Sequence, residues 1–176
     1  MKMLYKTFLF IAVCCLICLS SGCGYKIGVR GMMHPQIKSV AIAPIRNNTM
    51  EPLASDVLRM QLAAEFQRDG ALKLERLSKA DCIVYATIES SVNKTIDNAS
   101  FDGGVTYNPE KFRLTINVKY KIVIPGTGTV LVPDSAVDGY ANYEVLSDPA
   151  TAKASALKFA CFHAAQKIVT QTTEAW

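Results

Sequence analysis

The sequence is poor in the residues on which most catalytic and metal chemistry depends. It holds two histidines and one tryptophan in 176 residues. Neither His34 nor His163 has a cysteine, an aspartate or the other histidine at ligand spacing, so no zinc signature is present. Gly-x-Ser-x-Gly, the P-loop and the dinucleotide-binding glycine fingerprint are all absent. Gly103-Gly104 and Gly126-Thr127-Gly128 read as turns. These absences argue against an enzyme, and neither a cofactor nor a metal is expected. Charge of one sign is also scarce. The formal net charge is +4, and setting aside Lys2 and Lys6 leaves +2, too weak a balance to suggest nucleic acid. Beyond Leu19 no apolar run approaches the ~20 residues that span a bilayer. The chain ends on an aromatic, Trp176, but it has no series of ten-residue alternating strands, which excludes a membrane barrel.

What is present begins at the N-terminus. Lys2 and Lys6 precede the apolar segment "FLFIAVCCLICL" from Phe8 to Leu19, and small residues follow it. That is the layout of a secretory signal peptide, here residues 1–22. Ser20-Ser21-Gly22-Cys23 then resembles a bacterial lipobox, in which small residues precede a cysteine whose sulfur takes a diacylglyceryl group. Ser20 stands where leucine is commoner. Cys23 is therefore the expected lipidation site, and several acyl chains give a stable membrane anchor where one does not. The alternative is an ordinary signal peptide cut near Gly22, leaving Cys23 as a thiol or a disulfide partner. Gly24 after the cysteine, rather than aspartate, favours the outer membrane. Residues 23–36 form a lipidated tether, and residues 37–176 a single domain. Three cysteines leave with the signal and Cys23 is lipidated, so only Cys82 and Cys161 remain, either bridged or as two buried thiols. Asn47, Asn93 and Asn98 fit the glycosylation pattern but read as polar loop residues.

The domain is legible by period. "KSVAIAPI", from Lys38 to Ile45, is a short buried strand, and "RNNT" a loop. A helix is expected from Glu51 to Asp69, with Pro52 in its first turn, Gly70 as its stop, and Leu53, Val57, Met60 and Ala64 as its stripe, widened by Leu58, Leu62 and Phe66. Ala71 to Leu77 is a short strand or link, Cys82 to Val92 a second clear strand, and Asn93 to Glu110 a long loop. In "FRLTINVKYKIVI" every even position from Phe112 to Ile124 is apolar. The odd positions are polar until Val123, so this is a one-sided strand. "PGTG" turns the chain into a returning strand, Thr129 to Val145, interrupted around "VPDSA". Asp148 caps a final helix with Pro149 in its first turn and Leu157, Cys161, Ala164 and Ile168 as its stripe. The expected architecture is α+β, with two amphipathic helices on one face of a mixed, mainly antiparallel four-stranded sheet. The other face is left polar and uncovered.

Lys111, Arg113, Lys119 and Lys121 are all odd-numbered and share that uncovered face, and Lys94 sits across the loop from Lys111. A cationic stripe on an exposed sheet suits phosphorylated lipid, because ammonium and guanidinium groups pair well with phosphate. The plainer alternative is a solvated face balanced by acids such as Glu89 or Glu144.

"CGYKI" after the signal, "IKSVAIAPIRNNTMEP" before the first helix and "ADCIVYATIES" opening the next strand together resemble the LptE family of lipopolysaccharide-assembly lipoproteins. The resemblance covers most of the chain after the signal. It implies two helices against a four-stranded sheet, and a role as plug and assembly partner within the lipopolysaccharide-translocating outer-membrane barrel LptD. Lys111, Arg113, Lys119 and Lys121, chosen by strand parity, and Lys94, added from across the loop, are the candidate lipopolysaccharide-binding residues. A different class, a lipoprotein that activates a cell-wall synthase or builds a secretion channel, shares a similar opening. It is disfavoured by the long alternating strand, tight turn and returning strand of the second half.

Overall fold

The computed structural model describes residues 36–97, 100–102, 106–108, 110–145 and 148–173. The expected signal segment, Cys23, His34, Asn98, Gly103-Gly104 and Trp176 lie outside these residues. In chain order the elements are β1 (Ser39–Ile42), β2 (Arg46–Asn47), α1 (Ala54–Asp69), β3 (Lys73–Leu74), β4 (Cys82–Asp97), β5 (Ser100–Asp102), β6 (Thr106–Asn108), β7 (Lys111–Val123), β8 (Val130–Glu144) and α2 (Pro149–Thr173).

The fold is α+β, but the sheet is six-stranded and mixed rather than four-stranded and mainly antiparallel. Its order is β3-β1-β4-β7-β8, with β2 also pairing β4. β4, β7 and β8 form an antiparallel meander. The chain before it adds parallel pairs: β1 lies between β3 and the start of β4, and β2 continues beside Thr87 and Ile88. Each addition is only two to four residues long, too short to show a period. The "ADC" segment has a clear structural task here. The Asp81 carboxylate accepts the Lys38 and Ser39 amides at 3.0 and 2.9 Å and the Ser39 hydroxyl at 2.8 Å, pinning β1 to the start of β4. Those hydrogen bonds, led by the Lys38 amide, hold Asp81 below the usual carboxylate range.

β7 alternates as its sequence demands. Leu114, Ile116, Val118, Tyr120 and Ile122 are buried, while Arg113, Lys119 and Lys121 are exposed. The core lies between this face and the two helices, with Leu58, Leu62 and Phe66 of α1 and Ala160, Cys161, Ala164 and Ile168 of α2 fully enclosed. The α1 stripe is thus the Leu58-Leu62-Phe66 one. Leu53 and Met60 are 69% and 61% exposed. α1 also starts later than its sequence suggests. Pro52 precedes the helix, and Leu53 occupies the cap position with φ +63°. Asn47 organises this entry by donating to the Glu51 carbonyl at 2.8 Å and accepting the Thr49 amide at 3.0 Å. Glu51 in turn pairs with Lys153 of α2 at 2.5 Å.

α2 begins as expected. The Asp148 carboxylate accepts the Ala150 and Thr151 amides at 3.0 and 3.2 Å. The helix lies unusually close to β8. A Cβ at Gly139 would fall 1.9 Å from the Ala160 carbonyl oxygen, so only glycine fits there. Cys82 and Cys161 are both buried free thiols, and burial pushes each up to about 12. His163 is a structural contact on α2, its Nδ1 lying 2.8 Å from the Tyr140 carbonyl oxygen.

The segment expected to be a loop from Asn93 to Glu110 is largely strand. β4 runs on to Asp97 against β7, and β5 pairs β6 in a further short hairpin. Asn93 is therefore a strand residue, and so is Asn47. The irregularity at "VPDSA" is a bulge: Tyr120 faces Ser135, while Ile122 faces Val132.

Candidate functional site

The helices cover one face of the sheet, and the meander's opposite face is polar. Across it, in register, Lys111 faces Asp97 and Glu144, Arg113 faces Lys94 and Asn142, Asn117 faces Ser90 and Asp138, and Lys119 faces Thr87 and Ala136. β7 places its four cations there by parity alone. Lys94 arrives differently. A register shift between Ile88 and Ser90 moves the even-numbered residues of β4 from the helix side to the uncovered side. Lys94 thus sits opposite Arg113 rather than beside Lys111.

The five candidate cations fall into two groups. At the upper end, where β4 finishes and β7 begins, Lys111 is ion-paired with Glu144 at 3.5 Å. Arg113 donates through Nε to Asn142 at 2.8 Å and lies 4.8 Å over the Tyr140 ring. These two are largely occupied within the chain. Lys119 and Lys121 lie six or more residues along the strand, ~20 Å away at the usual rise. Among the described residues neither has an acidic partner within ion-pair distance, and neither does Lys94. Lys119 and Lys121 line a shallow trough of about 580 Å³ with Arg46, Tyr85, Glu89 and Asp134. Arg46 and Tyr85 were invisible to strand parity. Arg46 reaches the trough through the parallel pairing of β2 with β4, which no local pattern announces, and Tyr85 interrupts an otherwise apolar run. Glu89 and Asp134 bring carboxylates to the rim, so the trough suits a ligand with both phosphate and hydroxyl groups better than bare phosphate.

Among the described residues no cluster of three or more His, Cys, Asp or Glu side chains is placed to hold a metal. No described helix is long and apolar enough to cross a membrane.

The family model for lipopolysaccharide assembly, LptE, matches residues 37–172, well over half of the sequence. The chain belongs to the LptE family. LptE proteins are assembly lipoproteins rather than enzymes. No curated protein sequence matches. Among solved structures the fold is similar to a hypothetical protein from Chlamydia trachomatis, with TM-score 0.52 and 11% identity over 77% of this chain and 95% of that one. It is also similar to the PelC dodecamer from Paraburkholderia phytofirmans, with TM-score 0.51 and 14% identity over 77% and 89%. A minor lipoprotein from Acinetobacter baumannii gives TM-score 0.50 and 12% identity over 78% and 93%. At these identities the likeness concerns the fold.

Proposed function

We propose that this LptE-family chain is an outer-membrane lipoprotein, anchored through lipid on Cys23, that assembles with and plugs the lipopolysaccharide-translocating barrel LptD and contacts lipopolysaccharide on its way to the membrane. The observation that carries the reading is the division of the sheet. One face is sealed by helices, and the other is a broad hydrophilic surface. A plug in a polar barrel lumen needs such a surface, and so does a contact with the phosphates of lipid A. On this reading Lys119 and Lys121, with Arg46, are the phosphate-facing residues. Lys94 adds an ammonium without an acidic partner among the described residues at the upper end, and Lys111 and Arg113 chiefly shape the surface.

The test is a pull-down from detergent-solubilised outer membranes with the tagged mature chain, the bound proteins being identified by mass spectrometry. Recovery of LptD in near-equal amount supports the reading. Recovery of a peptidoglycan synthase or a secretion complex instead replaces it with the other lipoprotein class. For the lipid contact, Lys119→Glu with Lys121→Glu is expected to weaken lipopolysaccharide binding at least tenfold. The unfolding midpoint should stay unchanged, because these exposed side chains make no ion pair among the described residues. An unaltered affinity removes the trough from the lipid path.

A further inference from the structure

The sheet has two long margins, and they are finished differently. On β8 two of the outward carbonyls are occupied by α2: His163 Nδ1 lies 2.8 Å from the Tyr140 oxygen, and Lys167 Nζ donates to the Asp138 oxygen at 2.7 Å. α2 thus lies over this edge, and covering by a helix blunts an edge against further pairing. On the other margin β2 accompanies β4 only as far as Ile88, whose carbonyl accepts the Asn48 amide at 3.0 Å. The chain then leaves for α1. From Ser90 to Asp97, β4 pairs with β7 on one side and, among the described residues, with no strand on the other.

The ladder fixes which groups are left over. Val84 and Ile88 turn their carbonyls toward β1 and β2, and the register shift after Ile88 moves that alternation by one. The amides and carbonyls of Ser91, Asn93 and Thr95 therefore point outward, with no strand partner among the described residues. The Ser91 hydroxyl is enclosed yet has no hydrogen-bond partner. Side chains on this stretch match the open margin. Val92 and Ile96 are 42% and 45% exposed, and Met50, two residues beyond the last β2 contact, is 98% exposed. Lys94 stands directly opposite Arg113. Like charges so placed repel, and no carboxylate meets Lys94 among the described residues.

We infer that Ser90–Asp97 of β4 is a docking edge for an extended, acidic segment of the barrel partner, which adds to the sheet as a further strand along the line β2 abandons. The incoming main chain satisfies Ser91, Asn93 and Thr95, and a carboxylate beside Lys94 relieves its opposition to Arg113. This is strand addition, in which backbone bonds supply affinity and flanking side chains supply selection. The inference rests on the barrel reading above.

The experiment is amide hydrogen exchange on the mature lipoprotein, alone and in its co-expressed complex with the barrel. In the complex the amides of Ser91, Asn93 and Thr95 are expected to slow at least tenfold. Those of Val92 and Lys94, already turned toward β7, should change little. Asn93→Pro removes an outward donor at an edge position where proline leaves the β7 ladder intact, and it should weaken the complex about three- to tenfold. Asn93→Ala loses only the side-chain bond to Tyr143 and should not, while Lys94→Glu should weaken the complex independently of any proline effect. A complex that forms with Ser90–Asp97 exchanging as in the free chain overturns the docking edge and leaves the plug intact. Failure of any complex to form overturns both.

Discussion

The two faces of the sheet differ in how tightly they hold their side chains. The covered face is packed to the limit of atomic contact, with α2 so near β8 that a methyl group at Gly139 has no room. The uncovered face carries Asn117, Lys119 and Lys121 on the neighbouring strand β7, yet Asn117 has one side-chain hydrogen bond, to Asp138, and neither lysine has an ion pair among the described residues. The lesson is a separation of tasks across one layer of backbone. Stability resides on the side the helices cover, and the opposite side is free to be chosen for what it meets.

That separation can be broken most severely at Gly139. Gly139→Val is expected to destabilise the fold by about 3 kcal/mol or more, because backbone rather than a flexible side chain must move. Urea unfolding reads this directly, and a midpoint close to wild type would mean that α2 is not seated as described. Ile116 and Asn117 sharpen the comparison, being neighbours in β7 on opposite faces. Ile116→Ala should cost about 2–5 kcal/mol as a filled core position empties. Asn117→Ala, which removes a 2.7 Å bond to Asp138 at the surface, should cost about 1 kcal/mol or less. Equal costs would erase the distinction. Asp81 tests the contribution of polar groups at the lower end. Its carboxyl is depressed in the folded chain, so its stabilisation is present above the unfolded carboxylate range and is lost as pH falls through the folded value. Wild type should therefore lose thermal stability on acidification more steeply than Asp81→Asn, and parallel curves would deny Asp81 that role. The smallest effect is expected at Leu53. Leu53→Gly relieves a left-handed backbone that leucine adopts at a cost, and it should stabilise by about 1 kcal/mol.

Sequence reading succeeded where one residue's neighbours in the chain decide its surroundings. β7 was legible to within a residue, since its two faces see apolar core and solvent along nearly its whole length. α2 announced itself through Asp148-Pro149. Reading failed where pairing is distant or where both sides of an element are alike. β2 and β3 are two-residue parallel pairs, with no period to detect. Residues Asn93 to Asp97 lie on a strand exposed on both faces, so they carry no alternation and passed for a loop. In α1, apolar residues occupy more than one side, so the reading centred the stripe on Leu53-Val57-Met60-Ala64, whereas the buried side is the Leu58-Leu62-Phe66 one that it took as a widening. The four β7 cations were placed on the uncovered face by parity, but Lys94 was put beside Lys111 instead of opposite Arg113, and Arg46 and Tyr85 were missed, because they join the trough through tertiary contact alone. The two described segments that carried the family resemblance also serve as scaffolding, besides bringing Arg46, Tyr85 and Glu89 to the trough. Asn47, Thr49 and Glu51 build the entry to α1, and Asp81 fastens β1 to β4.

The unequal reach of the strand pairings bears on the order in which the chain folds. β7 and β8 are joined by a turn, with Val123 opposite Val130, whereas Val40 must find Cys82 across more than forty residues. Closing the larger loop costs more entropy and is the slower event. The meander, with α2 laid against it, is thus the natural nucleus, and β1, β2 and α1 join an existing template. The N-terminal portion of the described domain, from β1 to α1, is then the last to become ordered.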